Sequence, residues 1–334
     1  MKAFFHLFFA LNKEFYRDKG SLSWAFVLPV LIIIGCAVAF SNSQPPLLTV
    51  GIYPAHSSIE TLGSLAQNYS RFVHYDELKI AKQRLAHHQV DAVIDNQHKQ
   101  IWLSPTSSQS QLIAQLLKDH HAGYQIQHQQ GQAIRYVDWV LPGVLGMNIM
   151  FGSLFGVGYV LVRYRKNGVL KRLKATPISA LTFLSAQVAS RLFIVLLSNA
   201  VIFIGSWQAL NLLFVGHALD LLITAFIGTV AMIALALLIA CRTASEELAG
   251  GLLNAATWPM MFLSGIWFSL DNTPSYMQAL ANLLPLTHLV AAGRDIMLNG
   301  AGLGDVWPHL LALIITSIVC LLLAARFFRW DSSR

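Results

Sequence analysis

Six apolar stretches leave this chain little choice of fold: residues 22–40, 139–162, about 189–215, 219–241, 249–270 and 308–328. Crossing about 30 Å of hydrocarbon at ~1.5 Å per residue takes roughly 20 apolar residues. Backbone amides find no water at that depth, so such segments must be helical. The chain is 55% hydrophobic and 12% charged, whereas a soluble domain carries about 25% charged residues. Mean hydropathy is +0.54. The expected fold is an α-helical polytopic membrane protein of six transmembrane helices, with a small external α/β domain between the first and second.

Orientation follows from charge. Arg163, Arg165, Lys166, Lys171, Arg172 and Lys174 place six cations within twelve residues, between two apolar stretches and with no acid among them. Lys and Arg concentrate in cytoplasmic loops, which puts this loop inside the cell. Both termini, with Lys2, Lys13, Arg17 and Lys19 at one end and Arg326, Arg329 and Arg334 at the other, are then expected in the cytoplasm. The region 42–138 holds seven basic and seven acidic residues, so the net charge of +7 is not a nucleic-acid footprint. The loop carries more than charge. Val169, Leu170, Leu173 and Ile178 form an apolar stripe between Gly168 and Pro177, as a short amphipathic helix available to a partner would.

Residues 1–20 mix Phe4, Phe5, Phe8, Phe9, Phe15 and Tyr16 with cations and are expected to lie as an interfacial helix. A signal-peptide n-region is the competing reading. Within 21–41, Ile33-Ile34-Gly35-Cys36 resembles a lipoprotein cleavage box and Ala37-Val38-Ala39 a signal-peptidase site, behind a lead-in unusually long for a signal. Region 42–138 reads as β-α-β-α-β-β-α: strands at 47–53, 71–75, 90–94 and 100–103, and helices at 57–68, 76–88 and 110–130. Residues 139–334 form a five-helix domain with its cytoplasmic loop at 163–178. Pro274 and Pro285 break 271–307, which is too interrupted to span but apolar enough to dip into the outer surface.

Catalytic motifs are weak. No G-x-x-x-x-G-K-[ST], H-E-x-x-H or G-x-S-x-G occurs, so the chain has no P-loop with which to bind a nucleotide. Gly302-Leu303-Gly304-Asp305 matches the G-x-G-D of intramembrane aspartyl proteases. That chemistry needs two facing carboxylates within the bilayer, and a turn before a helix explains the motif better. Eight of the twelve histidines lie in 42–138, but pairs such as His87-His88 and His120-His121 point apart and read as solvated surface, with no metal expected. Arg191 is placed to snorkel from the cytoplasmic end of its span. Asn199, deeper, suits an interhelical hydrogen bond or a polar spot on a substrate path. Gly152-x-x-x-Gly156 suits close helix packing. A membrane-anchored ligand sensor without transport is the alternative these features leave open.

One resemblance covers essentially the whole chain. Pro259-Met260-Met261-Phe262-Leu263-Ser264-Gly265, then Pro285-Leu286-Thr287-His288 and Arg294, is similar to the fifth-span signature of type-2 ABC exporter permeases. Gly168-Val169-Leu170-Lys171-Arg172-Leu173-Lys174-Ala175-Thr176-Pro177 resembles that family's cytoplasmic marker, and the large external region resembles its drug- and ion-exporting branch. The resemblance implies a coupling helix at Gly168, Val169, Leu170, Lys171, Arg172, Leu173, Thr176 and Pro177, docking on a separate ATPase subunit that carries ATP and Mg. This chain itself would bind no cofactor. It implies a second permease copy or a paralogue, contact with membrane lipids, room for a periplasmic adaptor, and a bacterial inner membrane. The path would run along the second and fifth spans past Asn254, Thr257, Pro259 and Ser264, together with Asn199. Phe262, Trp267 and Phe268 would form the gate, and Pro285, His288 and Arg294 would belong to paired short helices at the outer mouth. An amphipathic drug, a lipid or an ion is the implied cargo.

Overall fold

The computed structural model describes residues 2–39, 49–54, 71–86, 90–104, 124–129, 134–169, 172, 180–241, 243, 245–270 and 273–327. It falls into two compact units, Met1–Val38 with Tyr136–Arg334, and Ala39–Arg135.

The smaller unit is a mixed sheet of five strands: β1 (Thr49–Tyr53), β2 (Arg71–His74), β3 (Ala92–Asp95), β4 (Gln100–Leu103) and β5 (Gln125–His128), with helix α3 (Leu78–Ala86) between β2 and β3. The order is β2-β1-β3-β4-β5; only the β3–β4 pair is antiparallel. Alternating side chains give it two cores. Val50, Ala92, Ile94, Ile101 and Leu103 fill one face, and Val93 with Ala81, Leu85 and Val90 fills the face under α3. Asp95, fully buried, accepts from the Gln97 and His98 amides and from His98 Nδ1, closing the β3–β4 turn. One expectation fails here. Within the helix expected over 110–130, Gln125–His128 is a strand, because β5 completes the parallel ladder on β4 and register with a neighbour outweighs the weak preference of a Gln-rich run; 110–123 lie outside the described residues. The helix expected at 57–68 and the pairs His87-His88 and His120-His121 lie outside the described residues.

The larger unit is helical. α1 (Lys2–Arg17) and α2 (Lys19–Ala39) precede the sheet region. After it, α4 (Tyr136–Ser153) runs through a π-helical turn at Leu154–Tyr159 into α5 (Val160–Lys166). α6 (Ala180–Leu210), α7 (Ala218–Ala240), α8 (Glu246–Leu263), α9 (Ser275–Ala281), α10 (Pro285–Asn299) and α11 (Trp307–Phe327) follow. Met150, Leu154, Met232, Ile233, Leu253 and Leu313 lie in one core that draws on α4, α7, α8 and α11. Glycines permit the closest approaches. A Cβ on Gly152 would stand 2.9 Å from Val195, and one on Gly158 3.1 Å from Leu253.

Four helical stretches among the described residues are long and apolar enough to cross a membrane: Tyr136–Lys166, Thr182–Leu210, Ala218–Ala240 and Trp307–Phe327. Four of the six expected spans reach that length and apolarity within the described residues. The apolar part of α2, Ala25–Ala39, is short. α8 starts on Glu246 and Glu247 and stops at Leu263, where Gly265 takes a left-handed conformation (φ +69°) that no helix continues. The third stretch is also shifted, starting at Ala180 and ending at Leu210, because left-handed Asn211 (φ +45°) turns the chain out. The freed Leu213 amide donates to buried Asp138 Oδ1 at 3.0 Å. Region 271–307 holds two helices, of which α10 is largely buried against α4 and α7.

The α6–α7 loop lies directly on α10. Val215 donates its amide to Met297 O (2.9 Å), and a Cβ on Gly216 would land on the Ile296 carbonyl oxygen. Since that atom is backbone, it cannot swing away. Gly216→Ala should lower thermal stability in detergent by about 1–3 kcal/mol, as overpacking does. Gly205→Ala, with open space at its Cβ, is the control expected to change little.

Candidate coupling and transport site

One end of the helical unit is tied together by charge. Arg165, 5% exposed, points inward and not to solvent. Its Nη1 donates to Ala240 O (3.0 Å) and Thr243 O (2.6 Å), and its Nη2 to Cys241 O (3.3 Å). These carbonyls cluster at the end of α7, where a helix leaves acceptors unpaired and carries partial negative charge. Its neighbours face other helices. Tyr164 donates to Glu14 Oε2 on α1 (2.7 Å), and Arg163 stands 3.6 Å from Glu14 Oε1. Lys166 lies 3.7 Å from both Glu246 and Glu247, and Tyr159 donates to Glu246 Oε2 (3.0 Å). The acids open α8, where the helix dipole favours them, and Ser245 Oγ caps the Leu248 amide (3.1 Å). Exposed pairs of this kind contribute about 0–1 kcal/mol. Their work is to hold α1, α5 and α8 in register, as Arg165 does for α7.

Beyond Lys166 the chain turns at left-handed Gly168 (φ +67°), and Arg172 donates its amide to Gly168 O (3.0 Å), a helical bond. Val169 packs beneath on the cluster of Leu161, Val162 and Phe183.

A cavity of about 490 Å³ opens beside this junction, lined by α1, α2, α4 and α6. Phe151, Phe155 and Leu28 give it apolar walls, while Glu14, Arg163 and Arg191 add charge. Buried Asn148 Nδ2 and Gln187 Oε1, on residues that line it, have no protein partner. Arg191 lies against neighbouring helices. Its guanidinium packs on Gly156, where a Cβ would stand 2.6 Å from Nε, and lies 5.5 Å from the Phe15 ring.

At the other end, a clasp surrounds the bend after α8. Arg294 stacks over Trp139 (3.9 Å to the ring) and donates from Nη2 to Gly265 O (2.9 Å) and from Nε to Trp139 O (3.3 Å). Tyr136 OH donates to Trp267 O (3.0 Å), and Thr287 OH to Ser264 Oγ (3.2 Å). His288 Nε2 faces Asn282 O at 2.9 Å. With the proton there, its Nδ1 accepts from His309 Nδ1 at 3.0 Å, strapping α10 to α11.

Between the two ends, α8 turns Leu248, Leu252, Trp258 and Phe262 outward, and Trp258 stacks on Phe262 at 6.0 Å. Asn254 and Pro259 share that exposed face.

This arrangement coincides with a family match. A profile described as ABC-2 family transporter protein matches residues 19–326. The chain belongs to that family. Among similar proteins is the inner membrane transport permease YhhJ of Escherichia coli (strain K12), 27% identical over 180 residues, 50% of this chain and 45% of that one. The probable multidrug ABC transporter permease YbhR of the same strain is 23% identical over 210 residues, covering 62% and 56%. The linearmycin resistance permease protein LnrN of Bacillus subtilis (strain 168) is 28% identical over 170 residues, covering 48% and 42%. The chain spans about half the length of the curated relatives it matches.

The sequence-derived site residues fall into four places. Gly168, Val169 and Arg172 are described at the basic end; Leu170, Lys171, Leu173, Thr176 and Pro177 lie outside the described residues. Asn254, Pro259 and Phe262 share the exposed face of α8, whereas Thr257 faces the core, 1% exposed. Ser264, Trp267 and Arg294 meet at the clasp, Pro285 and His288 stand at the start of α10, and Phe268 is 48% exposed beyond them. Asn199 stands apart from α8, and its amide bonds within its own helix, to Val195 O (2.9 Å), not between helices. Gly302 and Asp305 form a turn, with the Gly302 amide on Asp305 Oδ2 (3.0 Å), before α11. Among residues the motifs did not reveal, Arg165 sits four after buried Leu161 and three after Val162, so its helical phase already pointed inward.

Asp295, on α10 beside the clasp, gives a pH test. Burial pushes its carboxyl above the usual range, against the opposing Asn299 hydrogen bond (2.9 Å) and the charges of His309 and Arg294. The ionised form is thus the costly one in the fold. That cost is absent below about pH 4, the ordinary carboxylate value, and complete once pH exceeds the raised one. Asp295→Asn removes it, so the variant's melting temperature should gain on wild type between pH 4 and pH 8. A constant difference across that range contradicts the burial effect.

Proposed function

We propose that this chain is the membrane-spanning permease subunit of an ATP-driven ABC exporter, working with a separate ATPase subunit in a bacterial inner membrane. The observation that carries the reading is the basic end of α5. There, one short segment grips the end of α7 through Arg165, α1 through Tyr164 and the start of α8 through Lys166. A push on the loop 163–178 is delivered to three helices at once, as rigid-body coupling needs. Lys171 and Arg172 meet the ATPase, whose closure on ATP and Mg supplies the push. The motion travels along α8 to Gly265 and the Arg294 clasp, where the outer gate of Phe262, Trp267 and Phe268 opens.

Six spans, with α2 and α8 completing the four, keep both termini in the cytoplasm and 42–138 outside. The uncovered face of α8, with Trp258 and Phe262, faces a second permease copy across the path. A cavity that combines aromatic walls with Arg191, Asn148 and Gln187 suits an amphipathic cargo. The names of YbhR and LnrN, multidrug and linearmycin resistance, support the same class. The test is purification of the full chain co-expressed with the ATPases encoded beside it. A stable complex that hydrolyses ATP supports the reading. A chain that never associates with any of them overturns it.

A further inference from the structure

A second cavity, of about 250 Å³, lies among α4, α6, α7 and α10, away from the basic junction and from α8. Its walls are apolar, with Leu145, Ile149, Phe203 and Leu289 among them, and among the described residues no charged side chain lines it. Two of its residues are out of place in such a wall. Asn199, 6% exposed, spends its Nδ2 on Val195 O, and its Oδ1 has no partner. Thr224, fully buried, has a hydroxyl with no partner. A helical hydroxyl ordinarily bonds back to the preceding turn, as Thr229 does to Ala225 O (2.7 Å) and Ser198 to Val195 O (2.9 Å). Thr224 does not. An unmade hydrogen bond in a buried place is costly, and Leu and Val would fit these two positions without that cost.

We propose that this cavity is a binding site for a neutral amphiphile that presents a hydroxyl group, donating to Asn199 Oδ1 and accepting from Thr224 Oγ1. The chemistry narrows the ligand in three ways. Oδ1 only accepts, so the ligand must donate a hydrogen, which ester and ether groups cannot. A charged headgroup finds no counter-charge in the wall and stays out. The volume falls below the roughly 300–1,000 Å³ of pockets that hold drug-sized molecules, so one alkyl chain or a small ring fits. Access is sideways. Ile204 and Leu222, 49% and 50% exposed, line the cavity where it meets an apolar surface that includes Val201, Leu219 and Phe226. That surface belongs to spanning helices, so the ligand arrives from the bilayer. The site lies within one chain and stands whether or not the chain exports a cargo.

The test uses the full chain in lipid nanodiscs and a photoreactive diazirine derivative of octanol, with its methyl ether as the matched probe that cannot donate. Labelled residues are mapped by mass spectrometry. The alcohol should label α6 and α7 around Phe203 and Leu222, and the ether should label them at least fivefold less. Excess decanol should protect these positions, while decane and decanoate should not. Asn199→Leu with Thr224→Val should cut labelling at least fivefold without moving the gel-filtration profile, because it deletes two unpaired polar atoms. If the double variant does not fold, isosteric Thr224→Val alone carries the comparison. Equal labelling by ether and alcohol, or labelling unchanged in the variants, overturns the proposal. Organic extraction of the purified chain separates the sources. A hydroxyl lipid retained by wild type and lost from the variant marks a membrane lipid as occupant. Probe labelling without a retained lipid marks an alcohol taken up from outside.

Discussion

Arg165→Met should destabilise the detergent-purified chain by about 3 kcal/mol or more, since hydrogen bonds from a charged donor contribute about 1.5–3 kcal/mol each and do not sum in full. Three carbonyls at the end of α7 accept from this one guanidinium: Ala240, Cys241 and Thr243. Methionine keeps an unbranched stem of similar length but withdraws the charged donor from all three. Arg163→Met and Lys166→Met are the controls. Their side chains are 45% and 49% exposed and their partners lie 3.6–3.7 Å away, so each should cost at most about 1 kcal/mol. Melting curves followed by gel filtration distinguish the three. Equal losses at all three positions would contradict a special role for Arg165.

The second large effect is expected at Arg294. Its guanidinium combines a cation–π contact, worth about 1–2 kcal/mol when desolvated, with a charged hydrogen bond to Gly265 O. Arg294→Ala should lose about 3 kcal/mol and loosen the bend after α8, making 264–270 a site of early proteolysis. Arg294→Lys should recover only part, because an ammonium cannot stack on Trp139 while reaching both carbonyls. Full rescue by lysine would show that charge alone is needed there. Protease resistance of 264–270 in the alanine variant would show that the bend holds without the clasp.

Much of the helical layout was legible, because apolar length is a property of local sequence. Trp139–Val162 and Leu219–Cys241 announced α4 with α5, and α7, to within a few residues. Where boundaries shifted, single backbone conformations decided: left-handed Asn211 ends α6 and left-handed Gly265 ends α8. Neither residue type forces that conformation, so neither end could be read in advance. In the sheet, β4 emerged at the expected residues because Ile101, Trp102 and Leu103 make a strand-prone run, with Ile101 and Leu103 on the buried face. β5 was missed because Gln125–His128 has one apolar residue, and only its pairing with β4 makes it a strand.

The candidate site was legible unevenly. The loop's charges were read as orientation, which is what six cations without an acid mean in a membrane chain. What the reading lacked was direction: one of them, Arg165, turns inward to hold a helix end formed 75 residues later. Arg294 was visible as part of a motif, but its partners Trp139 and Gly265 meet it only through tertiary packing. Asn199 was marked for its polarity in an apolar run, yet its neighbours in space, Thr224 and α10, were not predictable from spacing.

The most direct measurement concerns the loop as a transmission element. Transport per ATP hydrolysed is compared in vesicles holding the chain with its ATPase, for wild type and for Lys171→Glu with Arg172→Glu. If the loop is cytoplasmic as proposed, its remaining cations should still keep it there, so the variant should insert normally. Its ATPase should go on hydrolysing ATP while transport falls by at least tenfold. Unchanged transport per ATP in the variant would contradict the coupling role of 163–178, and with it the route from this loop through Arg165 to α8.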